Sequence, residues 1–260
     1  LFKSKYSLIV TKDYYWRLTT MKCIYLNMYK NNVGMIGLGS WGKNIYRNLE
    51  TLNVLRKIYD SNTEHLNNTV TSKNKIAKNA DEIILSKDID NIVIASPADT
   101  HKNYIIKSLL NNKNVFVEKP LCLSLKDAME IKKLSSEVNK IVFVGHLLHY
   151  HNGFNKLKNI IKLGKIGNLQ IIKANRLNFG AVRQKESVLF DLASHDISMI
   201  LSITKAIPKK VEVNAIFNNS KKIADCINVL LYFENDLIAV INSDWISPYK
   251  EHRFSVLGSK

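Results

Sequence analysis

One short segment restricts the possible folds of this chain more than any other: Gly37-Leu38-Gly39-Ser40-Trp41-Gly42. It follows a short apolar run, Val33–Ile36, and opens an amphipathic stretch that reaches about Glu50. A second apolar run, Val54–Tyr59, then closes on an acid, Asp60. A strand, a glycine turn, a helix and an acid about twenty residues further on form the fingerprint of a dinucleotide-binding βαβ unit. In that unit Gly37 permits the tight turn, Gly39 lets a pyrophosphate reach the backbone, and Gly42 lets helix and strand pack closely. Ser40 and Trp41 complete the turn, whose free N–H groups lie at the helix N-terminus and attract anions. Asp60 is placed to accept hydrogen bonds from the ribose hydroxyls. An acid there repels a 2′-phosphate, so the expected cofactor is NAD, with NADP less favoured.

The segments that follow keep the alternation a parallel α/β sheet requires. Ile92–Ala95 reads as a buried strand stopped by Ser96-Pro97, Thr100–Leu110 as a helix, and Val115–Val117 as a strand broken by Pro120. Ser124–Val138 reads as a helix N-capped by Ser124, and Ile141–Val144 as a closing strand. With a weak strand inside Asn62–Asn79, about six strands are expected in this doubly wound domain. After Gly145 the texture changes. Helices are expected at Asn155–Leu163 and Leu189–Ile203, and long strands at Asn168–Leu177, Val211–Phe217, Ile227–Phe233 and Leu237–Asp244. Strands in succession without helices between them suggest an antiparallel, open-faced sheet. The expected organisation is an atypical leader (1–27), a Rossmann domain (28–147) and an α+β substrate and oligomerisation domain (148–260). Ser255–Gly258 reads as a strand running into a turn, from which an incomplete C-terminus is expected.

Composition narrows the function classes. The 260 residues are 46% hydrophobic, enough for two medium cores, and no apolar stretch approaches membrane-spanning length. The 38 Lys and Arg against 22 Asp and Glu give a charge of +16, spread along the chain without a basic stripe and interleaved aromatics. That pattern argues against a nucleic-acid partner and suits a small anionic ligand. Cys23, Cys122 and Cys226 are odd in number and far apart, which indicates neither a disulfide framework nor a zinc cage and points to the reducing cytoplasm. The segment before Met28 has Asp13 as its one acid and lacks a signal-peptide core. It reads as upstream sequence, with an organelle transit peptide as the alternative.

Two further motifs carry chemistry. Glu118-Lys119-Pro120 ends a parallel strand, where ligands of open α/β sheets bind, so Lys119 is directed at a bound nicotinamide; by spacing alone it could equally be a surface lysine before a turn. Asp191 and His195 are an i, i+4 pair on one helix face, able to act as an oriented general base; a solvent-facing pair or an N-cap would share that spacing. His146, His149 and His151 have a spacing open to a metal reading, but no carboxylate or cysteine completes a set. His146 reads as polar lining of the crevice.

Together these motifs resemble the Gfo/Idh/MocA family of sugar and cyclitol oxidoreductases, from about Asn31 to Lys260. Gly37-x-Gly39-x-x-Gly42, Ser96-Pro97-x-x-x-His101, Glu118-Lys119-Pro120 and Asp191-x-x-x-His195 fall in that family's order and spacing. The resemblance implies a Rossmann domain followed by a domain whose open sheet often makes homo-oligomer contacts. It also implies a lysine-proline motif, commonly cis, lining the nicotinamide site, and extends the cofactor set to Ser96, Pro97, His101, Glu118 and Lys119. Lys119 would orient the reacting hydroxyl, His195 would accept its proton, and Asp191 would hold His195 or a neighbouring hydroxyl. A narrower likeness at Arg176–Arg183 and Val188–Ile200 is to the branch acting on UDP-N-acetylhexosaminuronates in surface-polysaccharide synthesis. There Arg183, ahead of Arg176, would meet a carboxylate or diphosphate. Lys119, His146, Arg183, Asp191 and His195 are the implied substrate residues. The chain departs from the branch at Asn152, where a proline is expected. A myo-inositol or free-sugar dehydrogenase is the alternative, and a non-catalytic NAD-binding protein or decayed gene product the rival of another class.

Overall fold

The computed structural model describes residues 32–180, 182–184, 186–220 and 222–260. The expected leader, 1–27, lies outside them. The chain forms two compact units that meet in sequence between Gly145 and His146.

The first unit is a parallel sheet of five strands in the order β2-β1-β3-β4-β5. The strands are β1 (Val33–Ile36), β2 (Leu55–Tyr59), β3 (Asn91–Ile94), β4 (Asn114–Glu118) and β5 (Val142–Gly145). The near-continuous apolar runs of β1 and β3 reflect cover on both faces, whereas β2 at the sheet edge exposes Arg56. On one face Ile36, Ile92, Ile94, Val115 and Val117 pack with Ile83 and Ile84 of α3 (Ala80–Ile84), Ile105 and Leu109 of α4 (Ala98–Leu110), and Ile131 of α5 (Leu125–Glu137). On the other, Val33, Met35, Leu55, Ile58 and Val93 pack with Tyr46 and Leu49 of α1 (Gly42–Thr51) and Leu66 of α2 (Thr63–Thr69). Ser124 caps α5 as expected, accepting from the Asp127 N–H. The sixth strand expected within Asn62–Asn79 does not form. Asn62 caps α2 instead, and all that remains of strand pairing there is one bridge, Ile58 to Ile76. Polar, capping-prone residues favour local turns over a ladder.

The second unit begins with α6 (Asn152–Lys162) and β6 (Leu169–Phe179). A π-helical turn (Leu189–Ala193) leads directly into α7 (Ser194–Thr204). Four more strands follow: β7 (Lys210–Ile216), β8 (Cys226–Tyr232), β9 (Ile238–Asp244) and β10 (Ile246–Gly258). The sheet order is β10-β6-β9-β8-β7. The expected all-antiparallel sheet is corrected on one point: β9 runs parallel to β6, Ile171 pairing with Ile238 and Leu177 with Asp244. The reason is topological, because the helical excursion through α7 carries the chain back, and the β7-β8-β9 meander then sets β9 beside β6. The inner face (Ile172, Ala174, Ile227, Val229, Leu231, Ala239, Ile241) packs against Ala193 and Ile200. The outer face carries a transverse row of amides, Asn228 donating to Asn242 at 2.7 Å and Asn242 to Asn175 at 2.8 Å. Among the described residues, no helix is long and apolar enough to cross a membrane.

Candidate cofactor and substrate sites

The carboxyl ends of β1, β3 and β4 bring the cofactor candidates together within the first unit. Strand order reverses between β1 and β3, the place where open α/β sheets bind ligands. Gly37 has φ +99°, and a Cβ there would meet Ala95 C and Ser96 N at 2.4 Å. A Cβ on Gly42 would meet Gly37 O at 2.7 Å. Gly39 differs, since a Cβ there would meet nothing within 4 Å. Two glycines are thus required by packing, and the third leaves its backbone open to an approaching group. No side chain caps α1 and no acid lies in its first turn, which leaves its N-terminal dipole available to an anion. These features fit a dinucleotide pyrophosphate.

Asp60 ends β2 with its side chain 10% exposed. Its Oδ2 accepts from the Leu38 N–H inside the glycine turn, and its Oδ1 accepts from Asn62 N–H at 2.7 Å. His65 Nδ1 lies 3.3 Å from the same Oδ1, a contact not anticipated from the sequence.

His101 is buried, with Nδ1 2.8 Å from Pro120 O and Nε2 2.9 Å from Ser96 O. Both ring nitrogens lie at hydrogen-bonding distance from backbone carbonyls, so the ring sits between the Ser96-Pro97 and Lys119-Pro120 loops and fixes their spacing. Burial pushes its imidazole below the usual range, against the two carbonyls, which act the other way. The Lys119–Pro120 peptide is cis. Trp41, half exposed in the glycine turn, donates its indole N–H to Glu118 Oε1 at 3.0 Å. This latch joins the turn after β1 to the end of β4, and burial raises the Glu118 carboxyl above its usual range.

The second unit holds the substrate candidates other than Lys119. Asp191 sits in the π-helical turn, and Arg183 Nε donates to its Oδ2 at 3.1 Å. His195 lies in the first turn of α7, and its carbonyl accepts from Ser198 Oγ at 2.7 Å. With the hydroxyl proton used there, Ser198 Oγ is the acceptor for His149 Nε2 at 3.1 Å. The rings of His149 and His146 are 6.0 Å apart. Among the described residues, no group of three or more His, Cys, Asp or Glu side chains could hold a metal ion. Arg176, the weaker of the two arginine candidates, is corrected: it makes a bidentate pair with Asp196 of α7 at 2.8 and 2.9 Å, with the side chains 13% and 3% exposed. Its donors bind the unit's own helix to its own sheet. Asn152 is the first residue of α6, capped by His151, whose Nδ1 accepts from Gly153 N–H. This is a first helical position, where proline is also favoured.

The first unit has the strand, glycine turn and helix of a dinucleotide-binding fold, and the second is a mixed-sheet α+β unit. Residues 31–146 match the oxidoreductase family's NAD-binding Rossmann fold, and residues 154–260 match its C-terminal domain. The chain therefore belongs to the Gfo/Idh/MocA family. It is 26% identical over 246 residues to an uncharacterized oxidoreductase of Streptococcus pneumoniae serotype 4, covering 87% of this chain and 66% of that one. It is 25% identical to the myo-inositol 2-dehydrogenase of Thermotoga maritima, covering 88% of this chain and 73% of that one. Among solved structures, the UDP-N-acetylglucosamine 3-dehydrogenase GnnA from Acidithiobacillus ferrooxidans superposes with a TM-score of 0.77 at 20% identity, covering 88% and 74% of the two chains. The chain thus spans about two thirds of the length of the first of these relatives.

Proposed function

We propose that this chain is an NAD-dependent dehydrogenase that moves hydride between the carbon of a sugar-type secondary hydroxyl and the nicotinamide ring. The observation that carries the reading is the gathering of the glycine turn, Asp60 and Glu118-Lys119-cis-Pro120 at one end of one parallel sheet. When bound, the nicotinamide supplies the hydride acceptor. Lys119 orients the substrate hydroxyl and stabilises its developing alkoxide. His195 accepts the hydroxyl proton as the carbinol carbon gives up its hydride, and Asp191 holds the substrate or His195 in register. Removing the imidazole in His195→Ala lowers turnover by about 10²- to 10⁴-fold while NAD affinity stays nearly intact. Equal turnover in variant and parent removes His195 from the mechanism.

A nucleotide-sugar substrate, as in surface-polysaccharide synthesis, is the finer reading. Its support is Arg183, about half exposed beside Asp191, whose guanidinium suits a carboxylate or diphosphate. The name of the Thermotoga relative favours a free cyclitol instead. NADH absorbance with UDP-N-acetylhexosaminuronates, UDP-N-acetylhexosamines, free hexoses and inositols in parallel decides between them: turnover confined to inositols would refute the nucleotide-sugar reading. We further propose that the enzyme works in a reducing cytoplasm as a homo-oligomer that pairs through the second sheet. Light scattering that returns a monomer would remove that pairing.

A further inference from the structure

Asp60 is the acid from which discrimination between NAD and NADP is expected, and its lone pairs are nearly all in use. A carboxylate offers about four acceptor positions. Leu38 N–H occupies one on Oδ2, and Asn62 N–H (2.7 Å) and His65 Nδ1 (3.3 Å) occupy both on Oδ1. One position remains, on Oδ2, whereas a ribose diol brings two hydroxyls. Leu38 and Asn62 donate from backbone that forms the turns on either side, so neither donor can withdraw. The His65 contact is the longest of the three and comes from a side chain 38% exposed on α2, free to rotate.

We propose that His65 is a specificity-determining residue of the cofactor site, one that softens the rejection of a 2′-phosphate by Asp60. Bound to Asp60, the imidazole competes with a ribose hydroxyl for Oδ1. Turned away, it is a donor for an anionic group on the same ribose carbon. Both effects narrow the gap between NAD and NADP, so removing the ring widens it. The inference rests on the reading of Asp60 as the ribose acceptor, and the controls separate the two.

The test is isothermal titration of the intact protein with ADP-ribose and with 2′-phospho-ADP-ribose, which reads binding without turnover. The quantity is the ratio of the two dissociation constants, 2′-phospho over unphosphorylated. His65→Ala raises this ratio by about two- to fivefold, the size of one partly exposed polar contact. His65→Arg lowers it by a similar factor. His65→Phe keeps a ring of similar shape without a donor, and gives the same rise where His65→Ala is poorly folded by circular dichroism. A ratio unchanged or lowered in His65→Ala or His65→Phe overturns the proposal. Asp60→Asn serves as the control for the underlying reading: it weakens ADP-ribose and lowers the ratio. If Asp60→Asn changes neither affinity, Asp60 is not the ribose acceptor and the proposal falls with it.

Discussion

Arg176 and Asp196 are the pair for which sequence and structure assign different roles to one residue, and the difference can be measured. Read from the sequence, Arg176 is a candidate partner for a substrate anion. In the fold its Nε and an Nη donate to the two oxygens of Asp196, whose side chain is 3% exposed. Removing one member of such a pair leaves the other buried and uncompensated, a cost of about 3–5 kcal/mol. Asp196→Ala should therefore destabilise the second unit by that amount. Replacing both, as Arg176→Met with Asp196→Leu, removes the stranded charge, so the double variant should recover most of the loss. The interaction energy in the double-mutant cycle should accordingly be well above the few tenths of a kcal/mol expected for independent sites. Trp245, buried in this unit, is a local reporter, and urea unfolding followed by its fluorescence in a Trp16→Phe/Trp41→Phe background isolates the relevant transition. A loss below about 1 kcal/mol in Asp196→Ala, the value of an exposed pair, would refute the structural assignment. Arg176 would then return to the substrate candidates.

Gly37→Ala should abolish cofactor binding and lower stability by more than 1 kcal/mol, because the added Cβ would meet Ala95 C and Ser96 N at 2.4 Å at φ +99°; unchanged ADP-ribose titration would contradict this. Burial alone pushes the Asp225 carboxyl up, but hydrogen bonds from the Asn219 backbone and side chain, the Trp245 indole and the Asn218 backbone outweigh it and hold the carboxyl below its usual range. The stability this contributes is present above the unfolded value of about 3.9 and is lost as pH falls through the lower folded value. Asp225→Asn should flatten the acid limb of a Trp245 fluorescence titration, and a superimposable acid limb would contradict the assignment. A neutral imidazole has one N–H to give, so His101→Leu strands one donated buried carbonyl at about 1–3 kcal/mol. It should raise the NAD dissociation constant without direct contact with the cofactor, as equilibrium dialysis can check; unaltered affinity would mean that the two loops hold their spacing without it.

What could be read in advance divides by range of interaction. Gly37 and Gly42 were legible because their demands are local: a positive φ at the first, and close approach within one strand-turn-helix unit at the second. The alternation that gave most of the parallel sheet is local in the same sense. The strand expected within Asn62–Asn79 failed because Asn62 and Asn79 cap helices that follow them immediately. The parallel pairing of β6 with β9 was not legible, since it joins Ile171 to Ile238 across an excursion whose course no local pattern records. The same applies to side chains. Arg176 meets Asp196, and Trp41 meets Glu118, only once separate elements are stacked. His65 was within reach of sequence reasoning, lying five residues after Asp60 on the helix that Asn62 caps.

The wide turn at Leu189–Ala193 also has a bearing on how this chain can change. Such a segment holds one residue more than the regular helix it interrupts. Deleting Leu192 or Ala193 would let the coil close up regularly and continue unbroken into α7, yet everything upstream would swing by about 100° around the axis. The Arg183–Asp191 pair would then be presented in a different direction from His195, with each of those residues still present. Point substitutions along this stretch can retune the surface one group at a time, whereas a single codon gained or lost re-aims all of it at once.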